Sequence, residues 1–447
     1  MTASLPDLTA RLLDAARKAG AEAADALAIH GTSTTIDVRR GALEQAERAE
    51  GTEIGLRVLF GGKQACVSSS DISDRTIAAL AERAVAMARE APNDPYAGLA
   101  DPDAIARDWD LAAFDLADPA AEPDAATLES DCRAVESAAL AAKGITQVEA
   151  SAGYSARAMH LAASNGFSGG YARTSRSLSA VAFTGEGTGM ERDWAGESRT
   201  YQSDLPDAAG IGALAAERAL SRAGAVKPVT GTYPVLFDER IASSLIGHLL
   251  SAVNGAAIAR GASWLRDALG TQVLPAGLSV IEDPHRPRIG ASRPFDGEGL
   301  PTRRRAIVQD GILTGWTLDL ATGRKLGLPS TANAARSTSS PPSPSTSNID
   351  LTQGTRTRDD LIRDMGTGLL VTSMIGSTIN PTTGDYSRGA AGFWVQNGVI
   401  SHPVNECTIA GNLRDMLLRL IPANDARAHL STRVPSCLID GLTLAGA

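Results

Sequence analysis

A histidine on a helix that follows a strand is where zinc chemistry would be sought first, and this sequence has one at His248. It lies in DERIASSLIGHLLSAVNGAAIARGASWLRDA, Asp238 to Ala268, directly after the strand-like run TYPVLF. A zinc helix of the hydrolytic kind needs a second His about one turn away and a Glu beside it, so that two nitrogens and a base converge on one metal. Four residues before His248 stands Ser244, five before it Ser243, and four after it Ala252. A hydroxyl ranks below imidazole, thiolate and carboxylate as a zinc ligand. The residue types therefore favour a satisfied structural histidine, with peptide or partner contact next and metal ligation last.

The other chemically able residues are scattered. Asp296 and Glu298 in PFDGEG could act as paired carboxylates, although the flanking glycines favour a turn. Asp385, Tyr386 and Arg388 form a polar stretch among apolar strands, suited to a hydrogen-bond network or to binding. His402 follows a strand pattern and can cap it or touch a ligand, whereas His285, between prolines, is expected to be exposed. Asn254 and Arg260 extend the polar set beyond His248. No GxGxxG sits between a strand and a helix, and no GxSxG is present, so neither a phosphate loop nor a hydrolase elbow is indicated.

These residues have to be placed by the elements around them. Asp238 is the expected N-cap of a helix over 238–253, with Ile241, Leu245, Leu249 and Val253 on its apolar face. Upstream, an amphipathic helix capped near Asp7 opens the chain, and alternating segments from ADALAIHG to KQACVSSSD read as an antiparallel meander. Further helices are expected over Arg75–Glu90 with Asp74 as cap, over Ala125–Lys143 and over Asp207–Ala223. The first half is thus α+β, a mostly antiparallel sheet with packed helices, and is assigned to residues 1–225. The second domain, 226–447, is strand-rich, with short Gly turns at QDG and QNG, and suggests a curled or barrel-like sheet with the 238–253 helix inserted. The stretch 330–348, STANAARSTSSPPSPSTSN, should be flexible or ordered only on contact. Arg303, Arg304 and Arg305 read as a solvated strand end.

Composition limits the classes. The 447 residues are 43% hydrophobic and 21% charged, enough for real cores in two or three domains. A net charge of -9 argues against a nucleic-acid surface, since phosphate contacts need clustered Lys and Arg. Four separated cysteines with no CxxC pair suggest a reducing compartment. The N-terminal residues lack a secretory pattern, and no apolar run approaches membrane-spanning length, so a cytoplasmic location is expected and no membrane contact.

A family resemblance enters through INPTTGDYSRGAAGFWVQNGVISHPVNECTIAGNLRDML (379–417), which is similar to the PmbA/TldE branch of the TldD/PmbA family, also called the modulator of DNA gyrase family. The same branch is resembled by 243–270, by RPFDGEGLPTRR (293–304), by 333–348 and, more weakly, by SNGFSGGYARTS (164–175). TldD-type subunits carry a His-Glu-x-x-x-His zinc motif on the corresponding helix, and the matching positions here are Ser243, Ser244 and His248. The resemblance implies a non-catalytic subunit of a cytosolic TldD–TldE zinc metalloprotease that degrades unfolded peptides and trims modified ones. This chain would hold no cofactor, the zinc would sit in the partner subunit, and the chain could homodimerise when alone. Exposed strand edges would hold the peptide by backbone hydrogen bonds. Two alternatives stand beside this: an independent metallopeptidase with ligands such as His248 with Glu239 or Cys407, and a gyrase-binding regulator without proteolytic role.

Overall fold

A computed structural model describes residues 3–447. Six antiparallel strands form the N-terminal sheet: β1 (Ala23–Arg39), β2 (Ala42–Phe60), β3 (Lys63–Ser69), β4 (Ile145–Ala163), β5 (Ser168–Thr184) and β6 (Glu191–Arg199), in the spatial order β3-β2-β1-β4-β5-β6. Side chains alternate across a strand, so each face carries its own set. On one face Ala24, Ala26 and Ala28 pack with α1 (Leu5–Lys18) and α2 (Asp74–Glu90). Farther along the same face Ile36, Val38 and Ala150 pack with α3 (Ala125–Leu140) and α4 (Ala208–Ser221). The opposite face is met by the second half of the chain, with Leu27, Leu161 and Phe167 buried against Phe295, Leu300 and Ala332.

The helices fall where periodicity places them, with small corrections at their ends. The first is capped by Ser4 in a reciprocal box with Asp7, and the second by Ser73 rather than Asp74, because in each case a serine one to three residues upstream already accepts the free amide. The third ends at Leu140, short of Lys143.

The second half is organised around β7 (Gly231–Phe237), β8 (Gly368–Ile379), β9 (Asp385–Gln396), β10 (Val399–Asn412) and β11 (Cys437–Ala445). They run in the order β10-β9-β8-β7-β11, and a further β10–β11 pairing closes them into a five-stranded barrel. The fold class is therefore α+β with a barrel-like second half. QDG and QNG make tight turns as expected: Asp310 and Gly311, and likewise Asn397 and Gly398, all have φ between 50 and 80°. A smaller mixed sheet joins 280–282, 305–309, 312–313, 349–351 and 432–433.

Two expectations about exposed segments are corrected. The 330–348 stretch is docked: Ala334 pairs with Pro344, Asn333, Thr338, Ser347 and Asn348 are buried, and Arg336 forms an ion pair with Asp25 on β1. Hydroxyl and amide side chains supply enough local hydrogen bonds to hold a segment with little apolar surface. Arg305 is not a solvated strand end, because its guanidinium donates to the buried Glu282 carboxylate and to the Trp316 carbonyl.

Candidate functional site

The helix α5 (Glu239–Ala252) begins where Asp238 caps it, accepting from the Arg240 amide at 3.2 Å. Ala242, Leu245, Ile246, Leu249 and Ala252 are buried in a core shared with Val235 and Phe237 of β7 and Leu369 and Val371 of β8. His248 lies beside this stripe, half-buried, with its ring edge-on to Tyr386 at 5.9 Å between centroids. Its Nε2 is buried with no hydrogen-bond partner, so the expected satisfied histidine is not what forms. Burial, then the nearby Arg388 charge, holds the imidazole below its ordinary value and therefore neutral. Tyr386 points its hydroxyl at Met374 Sδ, 3.3 Å away, and burial pushes its phenol up to about 12. Arg388 is fixed by donating from Nε to the Gly376 carbonyl at 2.7 Å. The barrel thus brings His248, Tyr386 and Arg388 together.

The other candidate ligands, on this helix and on β10, do not complete a metal site. Ser244 Oγ donates to the Ile241 carbonyl at 2.7 Å, a local bond that occupies the hydroxyl's proton. Glu239 is paired with Arg427 at 2.7 Å. The Cys407 thiol donates to the Ala390 carbonyl, and burial pushes it up to about 11, away from the thiolate form a metal needs. Among the described residues, no three His, Cys, Asp or Glu side chains converge as a metal site would require. One neutral imidazole with a free nitrogen can accept one hydrogen bond, and zinc does not fit this donor set.

Asp296 and Glu298 occupy a turn, as the glycines indicate, yet both are buried. Asp296 accepts three backbone amides, from Glu298, Leu300 and Ala334, while burial still raises its carboxyl above the usual range. Glu298 accepts the Leu320 amide at 2.9 Å. Burial, then Asp296 and Asp319, push its carboxyl up to about 8. Asn254 supports the same region from the other side, donating to the Pro344 carbonyl at 2.9 Å, opposite Ala334 in the short pairing. Arg260 is exposed, Asp385 is exposed and bonded to Thr383 and Asn412, and His402 lies near Ser401 Oγ at 3.1 Å.

The residues missed in the sequence are arginines. Arg157, Arg173, Arg293 and Arg336 line a cavity of about 300 Å³ between the N-terminal sheet and the second half. One signal could have found Arg336, which is the lone charged residue of 330–348. Arg157 and Arg173 become visible only through strand register, and Arg293 only through the packing of its loop against the 334–346 segment.

Three family models cover most of the chain: PmbA/TldA metallopeptidase domain 1 over 24–88, the central domain over 118–223 and the C-terminal domain over 230–446. Metalloprotease PmbA of Escherichia coli O157:H7 is 38% identical over 93% of this chain and 90% of its own length. The chain belongs to the PmbA/TldD metallopeptidase family. A PmbA homologue of Haemophilus influenzae is 34% identical over 97% of this chain and 94% of its own. Among solved structures, a protein of Bacteroides thetaiotaomicron described as a modulator of DNA gyrase superposes with TM-score 0.91 at 28% identity, over 98% of both chains. TldE of Thermococcus kodakarensis superposes with TM-score 0.86 at 18% identity, over 98% of this chain and 100% of that one, which shows a shared fold. No helix among the described residues is long and apolar enough to cross a membrane.

Proposed function

We propose that this chain is the non-catalytic, TldE-like subunit of a cytoplasmic TldD–TldE-type zinc metalloprotease acting on unfolded or modified peptides. The observation that supports this is the residue set of α5: at the positions that the family resemblance matches to the zinc motif of TldD-type subunits it offers Ser243, Ser244 and a single histidine, His248. A zinc peptidase uses the metal to make hydroxide near neutral pH and a neighbouring base to take its proton. Neither serine supplies a ligand or a base of that kind, so both would come from a TldD-type partner that carries the zinc. The role left to this chain is to close the peptide chamber and hold an extended substrate. Arg388, half-buried at the barrel and held by the Gly376 carbonyl, offers a polar contact there.

Metal content and cleavage of an unfolded peptide, measured for the chain alone and mixed with a TldD-type subunit, test this directly. No zinc and no cleavage alone, with cleavage on mixing, is the expected result. Stoichiometric zinc with cleavage by the chain alone would overturn the proposal. Copurification with gyrase but not with a TldD-type protein would overturn it in favour of a regulator.

A further inference from the structure

We propose that the cavity between the N-terminal sheet and the segments 291–297 and 334–346 binds the C-terminal carboxylate of a peptide whose last residue is apolar. This rests on the peptide-handling role above and extends it by giving the ligand an end and a polarity.

The strand register builds the site in rows. Leu27 lies opposite Leu161, and the next row on the same face sets Ile29, Met159 and Tyr171 side by side across β1, β4 and β5. The row after that sets Gly31, Arg157 and Arg173 together. Along the strands the cavity floor thus passes from aliphatic and aromatic to cationic within three rows. Phe295 walls the apolar end, edge-on to Tyr171 at 5.5 Å, and the cavity's volume of about 300 Å³ suits a terminal residue.

The cationic end lacks its counter-charge. Arg157 and Arg173 are directly opposed across the antiparallel pair, an arrangement that costs stability unless something negative lies between them. Arg173 donates to the carbonyls of Gly290 and Ser292, which orients its guanidinium without neutralising it, while Arg293 donates to those of Ala334 and Ser345 and has Asp296 as a nearby charge. Of the four arginines, Arg336 has an ion pair among the described residues, with Asp25. That carboxylate is already engaged by Arg57 through Nε at 2.6 Å and Nη2 at 2.5 Å. The Arg336 side chain is 2% exposed and its Nη2 has no hydrogen-bond partner. Asp296 also faces the cavity, but three backbone amides already occupy it. A buried guanidinium with a free N–H, beside Arg157 and Arg173 with no ion pair among the described residues, calls for a carboxylate, whose two oxygens match the fork of an arginine. An inorganic anion would use that end alone. The apolar rows give the ligand its body.

The test is fluorescence anisotropy of the full chain, alone and mixed with a TldD-type subunit, with a labelled hexapeptide ending in leucine. The free-acid peptide should bind at least about tenfold more tightly than the same peptide with a C-terminal amide, the worth of a charge-assisted hydrogen bond. Arg157 is exposed and opposes Arg173, so Arg157→Ala should melt no lower than the parent while losing most of that preference, and Arg157→Lys should restore part of it. A peptide ending in aspartate should bind more weakly than the leucine form. Equal affinity for acid and amide would overturn this site and leave the peptide-handling role standing. No binding of any peptide, alone or mixed, would overturn both. Displacement by inorganic phosphate, with no preference for an apolar last residue, would reduce the site to one for simple anions and overturn the peptide assignment.

Discussion

Replacing Glu298 by glutamine should stabilise the protein at high pH and not at low pH. Glu298 is 8% exposed, and its carboxyl is pushed from an ordinary value of 4.5 up to about 8 by burial, Asp296 and Asp319. Below 4.5 both the folded and the unfolded chain hold the proton, and the shift contributes nothing. Between 4.5 and 8 the folded chain keeps a proton that the unfolded chain has released, so stability falls as pH rises. Above about 8 the folded chain must carry the buried charge, at a cost of roughly 5 kcal/mol at 1.36 kcal/mol per pH unit. Glutamine keeps a carbonyl oxygen for the Leu320 amide and removes the charge. Urea unfolding of the parent and Glu298→Gln at pH 5.5, 7 and 9 reads the effect. The difference should move in the variant's favour by about 3 kcal/mol between the two extremes. A difference that stays constant across this range would refute the reasoning, since it would mean Glu298 titrates alike in the folded and unfolded chain.

Three further outcomes follow from named contacts. Asp25→Asn leaves Arg57 and Arg336 buried without their shared anion and should cost about 3–5 kcal/mol, read as a lowered melting temperature; an unchanged melt would show the pair is solvated. Gly55→Ala places a methyl 2.2 Å from the Thr338 carbonyl oxygen, so the 330–348 segment must lift. Limited proteolysis should then cut within 336–342 faster than in the parent, and equal rates would contradict the docking. His248→Leu loses no hydrogen bond at the buried Nε2. Since the folded imidazole is held below 6.5, the parent should lose stability as pH falls below that value, and the variant should not. Melting curves that stay parallel from pH 7 to 5 would count against it.

What the sequence made legible was local. The Asp238 cap, the Leu245 and Leu249 stripe and the two glycine turns are decided within a few residues, and the structure has them. The alternation in β1 and β4 was enough to indicate a sheet, but not the register, so Arg157 facing Arg173 could not be foreseen. Arg336 hid in a Ser- and Thr-rich segment because its partner, Asp25, lies far away in sequence on β1. Asp296 and Glu298 looked like turn residues and are, and only the packing of Phe295, Leu300 and Ala334 around them turns a turn into a buried acid pair. His248 was legible as a lone histidine; that its nitrogen faces no partner depends on Tyr386, which a different strand provides.

The closure of the barrel has a consequence for how the protein is made. Strand β7 is flanked by β8 on one side and β11 on the other, and Phe237 pairs with Cys437, 200 residues later. At a synthesis rate of roughly 5–20 residues per second, β7 waits on the order of ten seconds or more for its second neighbour. During that interval Val235 and Phe237, wholly buried in the finished protein, have an open edge beside them. The N-terminal sheet has all its strands once Arg199 is made, long before the barrel has its last, so the second half is the part of this chain on which chaperones would act.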